Sequence, residues 1–188
     1  MIRFGTLGTA KITPRALVYP CVDEPQAMIR VIGARSRERA GAFAHHHGIR
    51  TVVDDYAAVV EHEKVNAVYV PLPITSHHEW AIKALRAGKH VLCEKSFAAN
   101  ATEAIEMAAV AEETGLVLMD AFHYRYHPIF GRAKEIYDSG VLGAVSEITA
   151  AFHIPAAPDP SDIRMLYKMG GGVTMDIGCY PISWRHHR

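Results

Sequence analysis

The feature that most constrains the fold is a regular alternation of short apolar runs with longer stretches of helical character. Each apolar run is about four to six residues long and each following stretch about ten to fourteen, a pattern typical of βαβ units. The predicted strands are Ile2–Leu7, Ile29–Ala34, Ala67–Val70, Val91–Cys93 and Leu116–Met119. Strands that each precede a helix predict a parallel sheet with right-handed crossovers. We therefore expect a doubly wound, Rossmann-type α/β domain over residues 1–120.

Capping residues delimit the helices between these strands. Ser36 is a suitable N-cap and Gly48 a suitable C′ residue for the second helix, and Asp54 or Asp55 can cap the third. The predicted helices span Pro14–Val18, Arg37–His47, Tyr56–Glu61, His77–Ala87, Thr102–Thr114 and Pro128–Ser139.

The pattern changes after Asp120. An aromatic, histidine-rich stretch is followed by the helix that starts at Pro128 and by a predicted strand at Val145–Ile154. One strand and one or two helices cannot bury both faces of a sheet. We therefore expect residues 121–188 to be an incomplete α+β domain for substrate binding or dimerisation, whose C-terminal part is missing, and a homodimer only where that domain is complete.

Composition excludes several classes of partner. Lys and Arg together number 20, as do Asp and Glu, so the chain has no net charge with which to hold a nucleic acid. No apolar run approaches the ~18 residues of a membrane span. Cys21, Cys93 and Cys179 show no metal or disulfide spacing, and adjacent side chains in His45–His47 point in different directions. We expect a cytoplasmic protein without a bound metal.

The turn after the first strand lies where a dinucleotide-binding turn would be. In such a turn, backbone N–H groups and a helix N-terminus meet a pyrophosphate. Only the first glycine of the usual three is kept, so a bare βα turn without a ligand remains an alternative. The residues concerned are Gly8, Thr9, Ala10, Lys11 and Ile12.

The end of the second strand bears on the choice of cofactor. A fold that selects NAD places an acidic residue there for the ribose 2′-hydroxyl, whereas this chain has no acid before Glu38. Arg35, Ser36 and Arg37 suit a 2′-phosphate instead, which favours NADP over NAD. The alternative interpretation is a solvated helix start.

Four separated motifs together resemble the Gfo/Idh/MocA oxidoreductases, the family of glucose-fructose oxidoreductase and inositol dehydrogenase. They are Gly5–Ile12, Ala84–Lys95, Ala121–Pro128, and Gly170–Gly172 with Asp176–Tyr180. Arg35, Tyr124, Arg125 and Tyr180 make the chain similar to the NADP-using branch that includes trans-dihydrodiol dehydrogenase.

The resemblance implies roles for individual residues. Lys95 would meet both the substrate hydroxyl and the nicotinamide, Tyr180 would be the acid/base that contacts the hydroxyl, and Asp176 would contact a substrate hydroxyl or a lysine. A surface lysine and a helix N-cap are the alternative readings of Lys95 and Asp176. The further residues implied on the cofactor side are Pro71, Leu72, Pro73, His77, Glu94 and Arg125.

One departure from the family concerns the residue after Lys95. The family usually has a proline there, often after a cis bond, and this chain has Ser96. Either the cis bond is retained, or the loop is trans and Lys95 moves.

The function that the resemblance implies is an NADP-dependent oxidoreductase acting on the CH–OH group of a small sugar, polyol or dihydrodiol. The alternative is a truncated, catalytically inactive dinucleotide-binding fragment, because complete members of the family are about twice as long.

Overall fold

Six parallel strands form the sheet of the first of two units, Met1–Asp120 and Ala121–Arg188, in a computed structural model that describes residues 1–155, 159 and 161–186. The strands are Ile2–Leu7 (β1), Ala27–Gly33 (β2), Thr51–Val53 (β3), Ala67–Val70 (β4), His90–Cys93 (β5) and Leu118–Asp120 (β6). Their order is β3-β2-β1-β4-β5-β6 and every pairing is parallel. This is the doubly wound order, in which the chain changes direction between β1 and β4 and leaves a crevice at the carboxyl ends of those strands. The predicted fold class is confirmed.

Helices cover the sheet and connect its strands. They are Tyr19–Asp23 (α1), Arg37–His47 (α2), Tyr56–Glu61 (α3), His77–Arg86 (α4) and Ala101–Thr114 (α5). The predicted first helix, Pro14–Val18, is a π-helical segment that continues into α1. Strand β3 was not predicted from the sequence. It consists of three half-buried residues at an edge of the sheet, and so short a run does not show a strand pattern.

Local capping explains where the helices begin and end. The Ser36 hydroxyl accepts a hydrogen bond from the Arg39 N–H at 3.3 Å, and the Asp55 carboxylate accepts one from the Ala58 N–H at 2.8 Å. Gly48 ends α2 with φ 69°, in the left-handed region that glycine tolerates. The choice left open between Asp54 and Asp55 is thus resolved for Asp55.

The core lies on both faces of the central strands. All four residues of β4 are buried, as expected for a strand covered on both sides. The largest cluster joins the sheet to α3, α4 and α5 through Leu7, Val31, Val59, Val68, Val70, Leu85, Val91, Met107 and Val110.

Side chains also tie the strands together at their amino ends. The Asn66 side-chain oxygen accepts a hydrogen bond from the Arg3 N–H at 2.7 Å. The Lys89 amine donates to the carbonyls of His62, at 3.1 Å, and Val65, at 2.8 Å. These bonds link the starts of β1, β4 and β5.

The second unit contains helices and no strand in its described part, residues 121–155, 159 and 161–186. Pro128–Asp138 (α6) and Cys179–His186 (α7) are α-helical, and a π-helical segment, Thr174–Gly178, precedes α7. The predicted strand Val145–Ile154 is wrong: these residues are exposed and adopt no regular secondary structure. An apolar, β-branched segment becomes a strand only when a neighbouring strand satisfies its backbone N–H and C=O groups.

Within the described residues, every helix is too short or too polar to pass through a lipid bilayer.

Candidate functional site

The crevice at the switch point brings together four loops that each follow a strand. They are the loops after β1, β2, β4 and β5. Since neighbouring strands lie about 4.8 Å apart, the loops after β1 and β5 are separated by only ~10 Å across β4. In open α/β sheets this edge is where ligands bind.

The turn after β1 has the conformation that a dinucleotide-binding turn requires. Gly8 is buried with φ 86°, and its N–H donates to the Gly33 carbonyl at 2.7 Å. A side chain at Gly8 would lie 3.5 Å from the Tyr56 hydroxyl and 3.6 Å from a Leu72 methyl, so the turn is flanked by these two residues. The fully buried Thr13 hydroxyl has no hydrogen-bond partner among the described atoms. The backbone conformation at Gly8 favours glycine, and the buried Thr13 hydroxyl still has a hydrogen bond to make. Both features fit a turn that binds a phosphate-containing cofactor.

The rest of this turn becomes more exposed along the chain. Thr9 and Ala10 are half-buried, and the Ala10 carbonyl accepts a hydrogen bond from the Thr13 N–H at 3.0 Å. Lys11 and Ile12 are exposed.

The loop after β2 carries Arg35, Ser36 and Arg37, the residues predicted to bind a 2′-phosphate. Arg35 is exposed, and Ser36 is half-buried because its hydroxyl caps α2. Arg37 forms an ion pair with Asp54 in which both side chains are exposed. Arg35 is therefore better placed than Arg37 to offer its full charge to an incoming anion.

The loop after β4 runs into α4 through two prolines. Pro71 is buried, and Leu72 and Pro73 are half-buried. His77, the first residue of α4, is 0% exposed, so its side chain lies under this loop rather than on the surface of the crevice. Burial lowers the pKa of His77, an effect that its backbone hydrogen bonds oppose.

The loop after β5 carries Glu94 and Lys95. The Tyr69 hydroxyl, 0% exposed in β4, donates to a Glu94 carboxylate oxygen at 2.6 Å. Burial, and then the negative charge of Glu94, raise the pKa of Tyr69 well above its ordinary value, so the phenol stays protonated and remains a donor. Lys95 is half-buried, Ser96 is buried, and the bond between them is cis, which resolves the alternative left open by the sequence.

Cys93 precedes this loop at the end of β5. It is fully buried, and burial raises the pKa of its thiol well above its ordinary value. A protonated, buried thiol is not a nucleophile.

In the second unit, Tyr180 is the centre of an aromatic cluster. It is 9% exposed, and its ring centroid lies 5.2 Å from those of Phe122 and Phe152 and 6.1 Å from that of Tyr124. The Tyr124 hydroxyl is 2.5 Å from the Ser183 hydroxyl on the next turn of α7. Packing on several sides therefore determines the direction of the Tyr180 ring.

Asp176 is buried in the π-helical segment before α7. The N-cap of this segment is Val173, so the alternative reading of Asp176 as a helix N-cap is wrong. Its carboxylate lies 3.7 Å from the Arg164 guanidinium. Hydrogen bonding to Asp162, followed by the charges of Asp162 and Asp176, raises the pKa of Arg164 despite some desolvation.

Arg125 and Gly171 belong to the motifs of the second unit that were singled out in the sequence. Arg125 is exposed, in a short 3-10 helix, His123–Tyr126. A side chain at Gly171 would lie 2.6 Å from the Arg164 carbonyl oxygen, so this glycine is required for close packing within the unit itself.

Two tyrosines belong to the crevice but were not singled out in the sequence. Tyr56 lies beside Gly8, and Tyr69 holds Glu94. Tyr56 follows an N-cap and Tyr69 lies in a buried strand, so the only sequence signal for either is a polar group in an apolar context. Among the described residues, no three His, Cys, Asp or Glu side chains are grouped so as to hold a metal ion.

Comparison with known families and proteins agrees with this geometry. Residues 2–122 match the model of the Gfo/Idh/MocA oxidoreductase family, described as an NAD-binding Rossmann fold, and residues 130–187 match the Gfo/Idh/MocA C-terminal domain. The chain belongs to the Gfo/Idh/MocA oxidoreductase family. The resemblance carried by the four sequence motifs is confirmed.

Relatives with named activities cover nearly all of the chain. A dTDP-3,4-didehydro-2,6-dideoxy-alpha-D-glucose 3-reductase from Actinomadura kijaniata is 41% identical over 96% of the chain and 54% of the relative. A D-xylose 1-dehydrogenase (NADP(+)) from Haloferax volcanii is 39% identical over 96% and 55%. A trans-1,2-dihydrobenzene-1,2-diol dehydrogenase from Xenopus tropicalis is 30% identical over 97% and 55%.

Solved structures show the same architecture. The 3-ketoreductase KijD10 from Actinomadura kijaniata, in complex with NADP and TDP-benzene, matches with a TM-score of 0.88 and 41% identity over 96% of this chain and 55% of its own. A tyrosine-to-phenylalanine variant of KijD10 with the same ligands matches with the same TM-score. The chain thus spans about half the length of these relatives.

Proposed function

We propose that this chain carries the cofactor-binding part of an NADP-dependent oxidoreductase that interconverts a CH–OH group and a carbonyl group of a small sugar-like or diol substrate. The observation that carries the proposal is the combination found at the switch point. A turn in which Gly8 has a positive φ follows β1. The loop after β2 is basic and has no acid before Glu38, and the half-buried Lys95 lies in the loop after β5.

Each loop of the crevice offers groups suited to a different part of NADP. The N–H groups of the turn after Gly8 are suited to the pyrophosphate. Arg35 and the Ser36 hydroxyl are suited to the 2′-phosphate, because a guanidinium and a hydroxyl donate charge-assisted hydrogen bonds to phosphate oxygens. Pro71, Leu72 and Pro73 offer an apolar wall along the crevice.

NADP, when bound, accepts or supplies the hydride. The chain then has to move the hydroxyl proton of the substrate. Lys95 is proposed for this step, with Tyr180 as the acid/base of the second unit and Asp176 as a group that orients a substrate hydroxyl. Glu94, held by Tyr69, places a negative charge beside the Lys95 backbone.

The substrate class is proposed from the relatives, which act on a nucleotide-linked deoxysugar, on xylose and on a dihydrodiol. Their names share a substrate that is a sugar, a sugar derivative or a cyclic diol. As part of the same proposal the protein is cytoplasmic, since Cys21, Cys93 and Cys179 are all unpaired thiols, as expected in a reducing compartment. A homodimer is proposed only for a chain with a complete second domain.

The test of the cofactor is a fluorescence titration with NADPH and with NADH. We expect NADPH to bind more tightly. Arg35→Ala should weaken NADPH binding by roughly 10- to 100-fold, the effect of a lost charge-assisted hydrogen bond, while NADH binding changes little. Arg39→Ala is the matched control, because Arg39 is also exposed but lies on α2, one turn further along the chain. Tighter binding of NADH by the parent chain would contradict the proposed 2′-phosphate site.

A second experiment separates the enzyme from the inactive dinucleotide-binding fragment. The purified chain is incubated with NADP and a panel of sugars, polyols and dihydrodiols, and NADPH formation is followed by absorbance. Turnover that is lost in Lys95→Met supports the enzyme. NADPH binding without turnover on any member of the panel favours the fragment.

A further inference from the structure

We propose that His77 is a positioning residue that ties the loop after β4 to the lysine-bearing loop after β5. The inference rests on the proposed function only where it assigns Lys95 to catalysis. The imidazole acts through backbone carbonyls and does not itself touch cofactor or substrate.

The placement of His77 is unusual for a polar residue at the start of a helix. Its side chain is 0% exposed, although histidine is ordinarily only partly buried. It does not cap α4: the N-cap is Ser76, and that serine makes no side-chain capping hydrogen bond. Burial of a polar ring is unfavourable unless the ring forms hydrogen bonds, so the groups that it contacts indicate its role.

The two ring nitrogens face carbonyl oxygens in two different loops. A neutral imidazole has one N–H, so the ring donates a hydrogen bond to one of these carbonyls and packs against the other. The Nε2 atom of His77 lies 2.8 Å from the Leu72 carbonyl oxygen, and the Nδ1 atom lies 3.0 Å from the Ser96 carbonyl oxygen. Leu72 belongs to the loop beside Gly8, and Ser96 follows Lys95 directly. One rigid five-membered ring thus contacts both loops, at the point where each leaves the sheet.

The same lysine-bearing loop is held on its other side by Tyr69. The Tyr69 hydroxyl donates to Glu94 at 2.6 Å. Lys95 therefore lies between two residues that are each bound to buried side chains, and both of those side chains belong to β4 or to the helix that follows it. The position of the Lys95 backbone, from which its side chain extends, is therefore determined by contacts with β4 and α4 as well as by the loop itself.

The chemistry of amides permits the two contacts of His77 to be separated. The side-chain nitrogen of Asn occupies roughly the place of histidine Nδ1, and that of Gln the place of Nε2. His77→Asn should therefore keep the contact with Ser96 and lose the contact with Leu72, whereas His77→Gln should do the reverse.

The readout is the reactivity of the Lys95 amine in the chain without NADPH. Trace acylation followed by mass spectrometry gives the rate at Lys95 relative to Lys83, an exposed lysine on α4. His77→Gln should change this ratio by about threefold or more, because displacement of the loop alters the surroundings of the amine. His77→Asn should leave the ratio close to that of the parent chain and should instead weaken NADPH binding by up to about tenfold.

Val110→Ala is the control for a general loss of stability. Val110 is buried on α5 in the same core and touches neither loop through a hydrogen bond. If both His77 variants change the Lys95 ratio no more than Val110→Ala does, or if both change it equally, the positioning role is wrong. Because acylation is measured without NADPH, a parent chain that fails to bind NADPH would contradict the proposed function and leave this result standing.

Discussion

At the scale of single residues, the site depends on polar groups that are buried and contact the backbone or side chains of its loops. His77 and Tyr69 have no exposed surface, yet each holds a part of the loop after β5 or its neighbour. Such groups stabilise the loops only in one protonation state, because a buried charge costs more than an exposed one. Stability and pH are therefore linked at this site.

The pH dependence of unfolding should show this linkage. Burial lowers the pKa of His77 from 6.5. Below about pH 6.5 the unfolded chain binds a proton that the folded chain excludes, so the free energy of unfolding falls as pH falls toward the folded pKa. His77→Gln should flatten this part of the curve, by up to ~1.4 kcal/mol per pH unit, in urea titrations between about pH 7.5 and pH 5.

His78→Gln is the matched control for that measurement. His78 is adjacent in the sequence, but it is partly exposed and pairs with Glu106. The idea fails if the two variants give the same pH profile.

Gly8 allows a second prediction at this scale. Gly8→Ala should destabilise the chain by about 1–2 kcal/mol, because φ 86° is strained for a residue with a Cβ although the space around it is sufficient. Urea unfolding gives the stability, and an NADPH titration should show weakened binding. Gly41→Ala on α2 is the control of opposite sign: it has open space around it and should stabilise by about 0.5–1 kcal/mol.

At the scale of elements, structure that depends on local signals could be predicted and structure that depends on distant partners could not. Helix α2 coincides with its predicted range because Ser36 and Gly48 delimit it locally. Strand β3 exists only through its pairing with β2, and the Val145–Ile154 segment remains irregular because it has no neighbouring strand in the described residues. A β-strand is a property of a pair, whereas a capped helix is a property of one segment.

Two serines that precede helices test the role of capping. Ser36→Ala should lower the free energy of unfolding by roughly 0.5–2 kcal/mol, because the hydroxyl accepts a hydrogen bond from the Arg39 N–H. Ser76→Ala, at the start of α4, should have little effect, since Ser76 makes no such bond. Chemical denaturation of the two variants checks the difference, and equal losses would rule out the capping explanation.

At the scale of the whole molecule, the chain consists of two units with very different amounts of regular structure. The first has a complete six-stranded sheet, and the described part of the second has helices and a long exposed stretch, residues 138–155. We propose that this second unit is part of a larger substrate domain, as the match to the family's C-terminal domain suggests.

Limited proteolysis should reveal this contrast. A protease specific for glutamate should cut first at Glu147, because that residue lies within a long exposed stretch, residues 138–155, almost all of it outside any helix or strand, whereas exposed Glu24 and Glu63 lie in short turns between a helix and a strand. Glu38 and Glu112 lie in helices and should be cut much later, since cleavage requires the local backbone to open. Mass spectrometry identifies the products, and cuts at Glu38 or Glu112 that appear as early as the cut at Glu147 would contradict the expected contrast.

Most of the candidate site could be located from the sequence, because its loops are the segments that follow strands. Gly8 and Arg35 come directly after a predicted apolar run, and Lys95 comes one residue later than that. The roles of Tyr56 and Tyr69, and the burial of His77, depend on which strands become neighbours, so only the folded chain reveals them.

The bonds made by Asn66 and Lys89 brace the sheet at the end opposite to the crevice. These bonds therefore lie at the opposite end of the first unit from the proposed cofactor site. A dye, an affinity handle or a solid support can accordingly be attached near exposed Glu63, between α3 and β4, without obstructing the entrance through which a nucleotide would arrive.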